Sequence, residues 1–189
     1  MDYSQFLIMR GEISLLLVFL LIFLFDTFGG KKSLKGLSIT ACVLFALHTV
    51  WNIIPVDSAT AFGGMYQTSP IASMVKTVLN IGTLIVLLQS ISWSDIPDVK
   101  LRRGEFYELL LVTLFGMYLM VSSGHFLLFF IGPEPASLPM AALIAINKKD
   151  TESYEAGAKY LFTAVFSSAV FLLGLSFLYG VSGSLYFGD

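Results

Sequence analysis

The chain of 189 residues has little charge and almost no cysteine. Only 13% of its residues are Asp, Glu, Lys or Arg, whereas soluble domains carry about 25%. The single cysteine, Cys42, excludes an internal disulfide and any cysteine-rich metal or iron–sulfur site. A net charge of -2 gives no argument for nucleic acid as a partner. The sequence has no glycine-rich phosphate loop and no nucleophile triad, and neither histidine has a second ligand at metal-binding spacing.

Long apolar runs take the place of these motifs. Hydrophobic residues make up 56% of the chain, and several runs are close to the 20 residues that cross a bilayer. We therefore predict an all-α polytopic membrane protein with about six spans. They cover roughly residues 13–28, 37–54, 71–93, 106–122, 124–146 and 153–179. The first run is too long for a signal-peptide core, and it lacks a preceding basic cluster and a cleavage site.

The topology depends on how many spans lie between residues 106 and 146. Hydropathy alone allows one span followed by an external loop, or a hairpin of two spans that turns at Ser122-Ser123-Gly124. Cytoplasmic loops carry the excess of Lys and Arg. Only the hairpin places three basic clusters on one side: Lys31/Lys32/Lys35, Lys100/Arg102/Arg103 and Lys148/Lys149. We therefore predict the hairpin, an outside N-terminus, and eight of the 11 basic residues on the cytoplasmic side.

One carboxylate, Glu134, lies near the centre of the fifth apolar segment. At about 1.5 Å rise per residue, its distance from both turns places it near the bilayer midplane. An ionisable residue in lipid is costly and is by default a functional-site hypothesis. Pro133, Pro135 and Pro139 each remove a backbone donor, so we predict that the fifth helix is kinked or broken near Glu134. The alternative is a loop at the membrane surface.

Three further ionisable side chains are candidates for function. Lys76, early in the third segment, is expected to snorkel to the outer water, with a functional role as the alternative. Lys159 lies among small residues that favour close helix contact, so we expect it to be partly buried and functional. Lys159 and Glu134 belong to consecutive antiparallel spans, where they could couple their protonation or form a plain structural pair. His125, at the outer turn, could titrate at the mouth of a proton path.

The remaining charged or titratable residues of the apolar segments receive structural roles. Glu12 and Asp26 bracket the first span, so we expect both at interfaces, solvated or paired, with Asp26 near Lys31 and Lys32. His48 lies inside the second segment, where a core or interfacial role is expected because no second metal ligand accompanies it.

The second half of the sequence resembles a known family. From about Glu105 to Leu185 the chain reads EFYELLLVTLFGMYLMVSSGHFLLFFIG-x-E-x-ASLPMAALIA, a short basic loop, and YEAGAKYLFTAVFSSAVFLLGLSFLYGVSGSL. This pattern is similar to subunit N of proton-pumping NADH–quinone oxidoreductase, an antiporter-like membrane subunit of respiratory complex I. The likeness is looser but collinear from the N-terminus, where Glu12 and Lys76 also have counterparts.

The resemblance implies specific sites. Glu134 stands at the family's fifth-helix glutamate and Lys159 at a lysine near the start of the sixth helix, and both belong to a proton channel along a polar axis. The residues that flank the glutamate are leucines in the family pattern, whereas here they are Pro133 and Pro135. The family members are more than twice as long. The chain is therefore expected to be an N-terminal fragment, with a three-helix segment at 1–104 and the start of an antiporter-like repeat at 105–189.

The resemblance also implies a function and partners. The leading expectation is a multi-pass subunit in the bacterial inner membrane that takes part in proton translocation, as part of an NADH:quinone oxidoreductase. Other membrane subunits of complex I and the lipid bilayer are its expected partners, other subunits bind the quinone, and this chain carries no cofactor of its own. Two alternatives stay open: a subunit of a multisubunit cation/proton antiporter, and a non-transporting structural or assembly protein of the membrane arm.

Overall fold

The computed structural model describes residues 4–29, 34–93, 102–147 and 150–188, and these ranges are almost entirely helical. Their helices are α1 (Ser4–Ile8), α2 (Arg10–Phe28), α3 (Leu34–Asn52), α4 (Pro70–Trp93), α5 (Arg103–Val121), α6 (Phe126–Ile131), α7 (Pro133–Ile144) and α8 (Thr151–Ser182). Five stretches of the described residues are long and apolar enough to cross a membrane: Arg10–Phe28, Pro70–Ser92, Arg103–Val121, Phe126–Ile144 and Thr151–Ser182. The all-α polytopic membrane class is thus confirmed. The apolar part of α3, Gly36–Asn52, is shorter than these.

A tight turn separates α5 from α6, at the residues where the sequence predicts a hairpin of two spans. Helix α5 ends at Val121 and α6 begins at Phe126. His125 caps the new helix, because its side chain accepts a hydrogen bond from the Leu127 amide. The sidedness of the bundle stays a prediction. Most of the basic residues on which it rests lie outside the described residues, namely Lys31, Lys32, Lys100, Lys148 and Lys149.

A small β-hairpin, which the sequence did not predict, covers one end of the bundle. Strands β1 (Ala59–Ala61) and β2 (Tyr66–Thr68) pair antiparallel, with Ala59 opposite Thr68. Gly63 and Gly64 have φ values of 67° and 89° in the connection, a region that glycine enters without a Cβ clash. Tyr66 then bridges to Ser123, and the Gly124 amide donates to the Met65 carbonyl at 2.8 Å. These bonds tie the hairpin to the turn between α5 and α6.

The apolar core is formed by α2, α3, α4 and α5. Its buried members are Leu15, Val18, Ile22, Leu37, Ala41, Cys42, Phe45, Leu87, Tyr107, Leu111, Leu114 and Tyr118. Residues from both sides of the predicted boundary at 104 therefore share one core, and the division into two segments stays a prediction.

The fifth apolar segment is helical on both sides of Gly132. That glycine separates α6 from α7 but keeps right-handed helical angles, φ -62° and ψ -46°. Pro133 and Pro135 lie in the first turn of α7, where amides have no intrahelical acceptor in any case. The helical hydrogen-bond pattern resumes at Ala136, whose amide donates to the Gly132 carbonyl at 3.2 Å. Glu134 therefore lies in a helix, and the surface-loop alternative is wrong; a bend of the helix axis stays a prediction.

Candidate functional site

Glu12 and Lys76 form an ion pair inside the helical bundle. Glu12 is in the first turn of α2, and Lys76 is in the second turn of α4. Lys76 Nζ lies 2.6 Å from Glu12 Oε1, and the two side chains are only 8% and 1% exposed. The expectation that Lys76 snorkels to water is wrong, because a carboxylate on the neighbouring helix meets its ammonium inside the protein. Glu12 takes the paired alternative of the two expected for it.

Two hydroxyl groups complete the environment of the Glu12 carboxylate. Tyr66 of β2 donates to Oε2 at 2.8 Å, and Ser122, just after α5, donates to Oε1 at 3.1 Å. Burial raises the pKa of the Tyr66 phenol, and the negative charge of Glu12 raises it further. Tyr66 therefore stays a neutral donor. Three separate elements bring a donor to the carboxylate that α2 carries, so its position is tightly defined.

A cluster of polar side chains adjoins the Glu12–Lys76 pair. The Tyr118 ring has Lys76 Nζ 5.1 Å from its centroid, a cation–π distance. The Tyr118 hydroxyl donates to Asn80 Oδ1 at 2.6 Å, so its oxygen accepts from His48 Nε2 at 3.3 Å. His48 Nδ1 is then an acceptor, and it lies 3.0 Å from Ser14 Oγ and 3.2 Å from Asn52 Nδ2. Of the core and interfacial roles expected for His48, the structure shows the core role, since the ring is buried.

Gly11 gives this polar cluster room. A Cβ at Gly11 would lie 3.0 Å from Asn52 Oδ1 and 4.0 Å from Lys76 Nζ. The Asn52 amide in turn donates to the His48 carbonyl at 2.9 Å. A glycine in the first turn of α2 therefore allows Asn52 of α3 and Lys76 of α4 to approach the α2 backbone closely.

Glu134 lies halfway along the span Phe126–Ile144. Its side chain is half-buried, and within the described residues we find no hydrogen bond or ion pair made by its carboxylate. At 3.6 residues per turn it points away from α5, against which Gly132 and Ala136 pack. Ile131 and Leu138, one turn before and after it, are both exposed. The carboxylate thus borders a surface that the described chain leaves uncovered.

Lys159 does not meet Glu134. Its ammonium lies 2.5 Å from Glu155 Oε1, one turn earlier on α8, and its side chain is 74% exposed. The expected partial burial of Lys159 is wrong for this chain, because α8 packs through another face. Gly157 marks that face: a Cβ there would lie 2.8 Å from Ala145 Cβ. The role of Lys159 in proton movement stays a prediction.

His125 and Asp26 lie at opposite ends of the bundle. His125 is half-buried, caps α6, and meets the Tyr186 ring edge-to-face at 4.6 Å between centroids. Asp26 is exposed, and its carboxylate abuts Gly104 in the first turn of α5, where a helix N-terminus favours negative charge. Its expected neighbours Lys31 and Lys32 lie outside the described residues.

Sequence reasoning missed most of the residues that surround the ion pair. Tyr66 lies in the polar stretch between two predicted spans, Ser122 at the predicted turn, and Tyr118 within an apolar run. None of them is distinguished by a local sequence pattern. Asn80 gave one usable signal, because an amide at the centre of an apolar run needs a polar partner in the membrane. Such partners come from distant parts of the sequence, which no local pattern identifies.

The fold and these residues define a class: an integral membrane protein whose helical bundle contains ionisable groups. Residues 123–189 match the family model described as NADH:quinone oxidoreductase/Mrp antiporter, TM. The whole chain is 48% identical over 189 residues to NADH-quinone oxidoreductase subunit N of Phocaeicola vulgatus. It is 41% identical over 191 residues to the subunit N of Azobacteroides pseudotrichonymphae. The chain belongs to this family of antiporter-like membrane subunits, and it spans 40% of the length of either relative.

Solved structures share the fold. A chain of respiratory complex I from Thermus thermophilus, solved with bound aureothin, superposes with a TM-score of 0.74 at 24% identity, over 95% of this chain and 38% of that one. A chain of the membrane-bound sulfane sulfur reductase, an archaeal respiratory membrane complex, gives a TM-score of 0.68 at 20% identity, over 95% of this chain and 38% of its own.

Proposed function

We propose that this chain is part of a membrane subunit of an NADH:quinone oxidoreductase and takes part in proton translocation. The proposal draws on the names of its relatives, which are NADH-quinone oxidoreductase subunits N. The observation that carries it is Glu134, a carboxylate halfway along an apolar span. A carboxyl group at that depth has no use as a surface charge, and its cost favours a role in moving protons.

The surroundings of Glu134 support such a role. Its carboxylate has no ionic partner among the described residues, yet a charged form at mid-membrane needs one. The exposed Ile131 and Leu138 beside it leave room for a further helix. A cation on that helix, from outside the described residues, would hold Glu134 ionised, and its withdrawal would raise the proton affinity of the carboxylate. That change in affinity is the elementary step of a pump.

The other parts of the function belong to the assembled complex. Quinone binding and reduction take place in other subunits, this chain carries no redox cofactor, and it contacts other membrane subunits in a bacterial inner membrane. Lys159 and His125 are assigned to the proton path with Glu134: Lys159 as a cation on the adjoining helix, and His125 as a titratable group at the outer turn. Lys76 is assigned to the proton path together with Glu12.

The test is Glu134→Gln in the complete complex, assayed in inner-membrane vesicles. The substitution keeps the shape of the side chain and removes its titration, so NADH-driven proton pumping should be mostly lost. Electron transfer from NADH to an artificial acceptor should continue. Glu152→Gln, an exposed substitution in the first turn of α8, is the matched control and should pump normally. Wild-type pumping by the Glu134→Gln complex would exclude the proposed role.

A second candidate is a subunit of a multisubunit cation/proton antiporter, since the matching family model covers both groups. The two differ in their energy source. Vesicles that exchange sodium for protons without NADH, and lose the exchange in Glu134→Gln, would favour the antiporter. If Glu134→Gln changes neither activity and only deletion of the chain blocks assembly, the chain has a structural role instead.

A further inference from the structure

We propose that Glu12 and Lys76 form a second proton-transfer site, which exchanges protons with water at the hairpin end of the bundle through Tyr66 and Ser122. This inference rests on the proposed function, because it assigns a further site to proton movement. The second site and the Glu134 site lie on different helices. Glu12 and Lys76 belong to α2 and α4, whereas Glu134 is on α7.

The pair has the geometry of a proton-transfer contact. A donor–acceptor distance of 2.6 Å joins Nζ to Oε1, at the short end for a charge-assisted hydrogen bond. Both side chains are buried, and a low-dielectric interior stabilises two charges much less than water does. Burial therefore narrows the energy gap between the ionic pair and the neutral pair of amine and carboxylic acid, which differ only in the position of one proton.

The transfer step balances without any other reactant. One Nζ–H bond of the Lys76 ammonium breaks and one Oε1–H bond forms on Glu12, which leaves a neutral amine and a neutral acid. The acid then gives its proton to water at the hairpin end and becomes a carboxylate again. A proton that reaches the amine from the core side restores the ammonium. One proton has moved outward, and the pair has returned to its first state.

The outward side of the pair is formed by two hydroxyls near solvent. Tyr66 and Ser122 donate to the two carboxylate oxygens, and hydroxyls both donate and accept protons. Each is adjacent in sequence to a residue with access to water, since Gln67 is exposed and Ser123 is half-buried. The hairpin and the turn thus place solvent-accessible residues next in sequence to both donors, which are themselves buried.

The core side of the pair contains a polar group with an unused donor. Asn80 is fully buried, and its Nδ2 has no hydrogen-bond partner among the described residues, although its Oδ1 accepts from Tyr118. Buried amides rarely stay unpaired, and a bound water is the usual partner. A water held by Asn80 near Tyr118 would extend the polar path from Lys76 toward the middle of α4.

The other titratable groups around the pair are compatible with this cycle. Tyr66 faces it from the hairpin, Tyr118 from α5, and His48 lies behind Tyr118 on α3. Each of these groups is neutral in its hydrogen-bonding role, so none neutralises either charge of the pair. The competing interpretation is a structural ion pair that only joins α2 to α4, and the experiment has to separate the two.

Single removal of either charge is uninformative, because it leaves its partner buried and unpaired. The double variant Glu12→Gln/Lys76→Met removes both charges together, and such replacements are often tolerated. Lys76→Arg supplies an independent test, since a guanidinium keeps the ion pair but does not release a proton. Arg102→Met/Glu105→Gln removes an ion pair near the start of α5 and is the matched control.

All variants are made in the complete complex and assayed in membrane vesicles. The double variant and Lys76→Arg should assemble and reduce an artificial acceptor at the wild-type rate, yet lose most of their NADH-driven proton pumping; the control pair should pump normally. Wild-type pumping by either test variant would overturn the proposal in favour of a structural pair. A defect in assembly shared by both test variants would likewise assign the pair a structural role.

A second readout keeps this proposal separate from the Glu134 site. In pH-dependent infrared difference spectra of the complex, the carbonyl band of a protonated carboxyl group should be missing in the double variant and present in Glu134→Gln. If Glu134→Gln pumps normally while the double variant does not, the Glu134 proposal fails alone. If the double variant keeps every carboxyl band, Glu12 does not take up protons and the second site is refuted.

Discussion

A single hydroxyl joins the β-hairpin to the ion pair, and its loss has a predictable cost. Tyr66→Phe removes the donor to Glu12 Oε2 and the weaker acceptor 3.4 Å from Lys76 Nζ, while the ring stays in place. Hydrogen bonds to charged groups contribute about 1.5–3 kcal/mol. We expect the free energy of unfolding to fall by about that amount near neutral pH, as measured by thermal unfolding of the purified complex followed at this subunit.

The same hydroxyl predicts a dependence on alkaline pH. The pKa of Tyr66 is raised in the folded protein, while an unfolded tyrosine titrates near about 10. Above that pH the unfolded chain loses a proton that the folded chain keeps, so stability is full below pH 10 and declines above it by up to ~1.4 kcal/mol per pH unit. Tyr66→Phe should decline less steeply than wild type, and Tyr179→Phe, with an exposed ring, should not. Identical alkaline slopes for Tyr66→Phe and wild type would contradict this.

The ion pair also illustrates the limit of sequence reasoning for single residues. Position along an apolar run is enough to place Glu134 at mid-span, because depth depends only on helical rise. Pairing is different, since Glu12 and Lys76 are 64 residues apart in sequence and meet only when α2 and α4 pack. The snorkelling expected of Lys76 assumed water as the nearest polar partner, and the error follows from that assumption.

At the scale of elements, α5 packs closely against the start of α7, where Gly116 faces Gly132. A Cβ on Gly116 would lie 2.5 Å from the Ala136 amide nitrogen and 2.9 Å from Ala136 Cβ. Gly116→Ala should therefore force the helices apart and destabilise the subunit by about 1–3 kcal/mol. The contact lies in the same helical turns as Glu134, so proton pumping should fall as well.

Gly174→Ala is the matched control for this contact. Gly174 is on α8, and in the described part of the chain nothing lies within 4 Å of its added Cβ, so alanine should be neutral or slightly stabilising through its helix propensity. Both variants are compared by subunit abundance in membranes and by thermal unfolding of the purified complex. Equal stability of Gly116→Ala and Gly174→Ala would refute the close packing of α5 and α7.

The three prolines of the fifth segment should differ in their effects. Pro133 opens α7, where a proline at the first helical position is well accommodated. Pro139 lies inside the same helix, where a missing amide leaves the Pro135 carbonyl without its usual donor and costs about 3 kcal/mol. Pro139→Ala should raise thermal stability clearly, whereas Pro133→Ala should change it little. If Pro133→Ala raised the unfolding temperature more than Pro139→Ala, the helical hydrogen-bond pattern would not be interrupted at Gly132.

For the whole molecule, five of the six predicted spans coincide with described helices that are long enough to cross a membrane, because hydropathy and length are properties of each segment alone. The second predicted span, 37–54, falls on α3, whose apolar part is shorter than the other five. The predicted end of the fourth span at Ser122 and the observed end of α5 at Val121 differ by one residue. The hairpin at Ala59–Thr68 was missed because its strands have three residues each, too few for any periodicity. The exposure of Lys159 was missed for a third reason: the sequence does not reveal that α8 packs against α7 through the face of Gly157 rather than that of Lys159.

The sidedness of the bundle also stays a prediction, and labelling of single cysteines in intact cells decides it. Cys42 is buried and should not react with a membrane-impermeant maleimide, so it serves as an internal control. Asp57→Cys precedes the hairpin and should react from outside the cell, whereas Arg102→Cys and Asp150→Cys should react only after the membrane is opened, because the basic clusters beside them favour the cytoplasm. Labelling of Arg102→Cys in intact cells would show that the topology is the reverse of the predicted one. The hairpin, the Glu12–Lys76 pair and its exchange with water would then all face the cytoplasm.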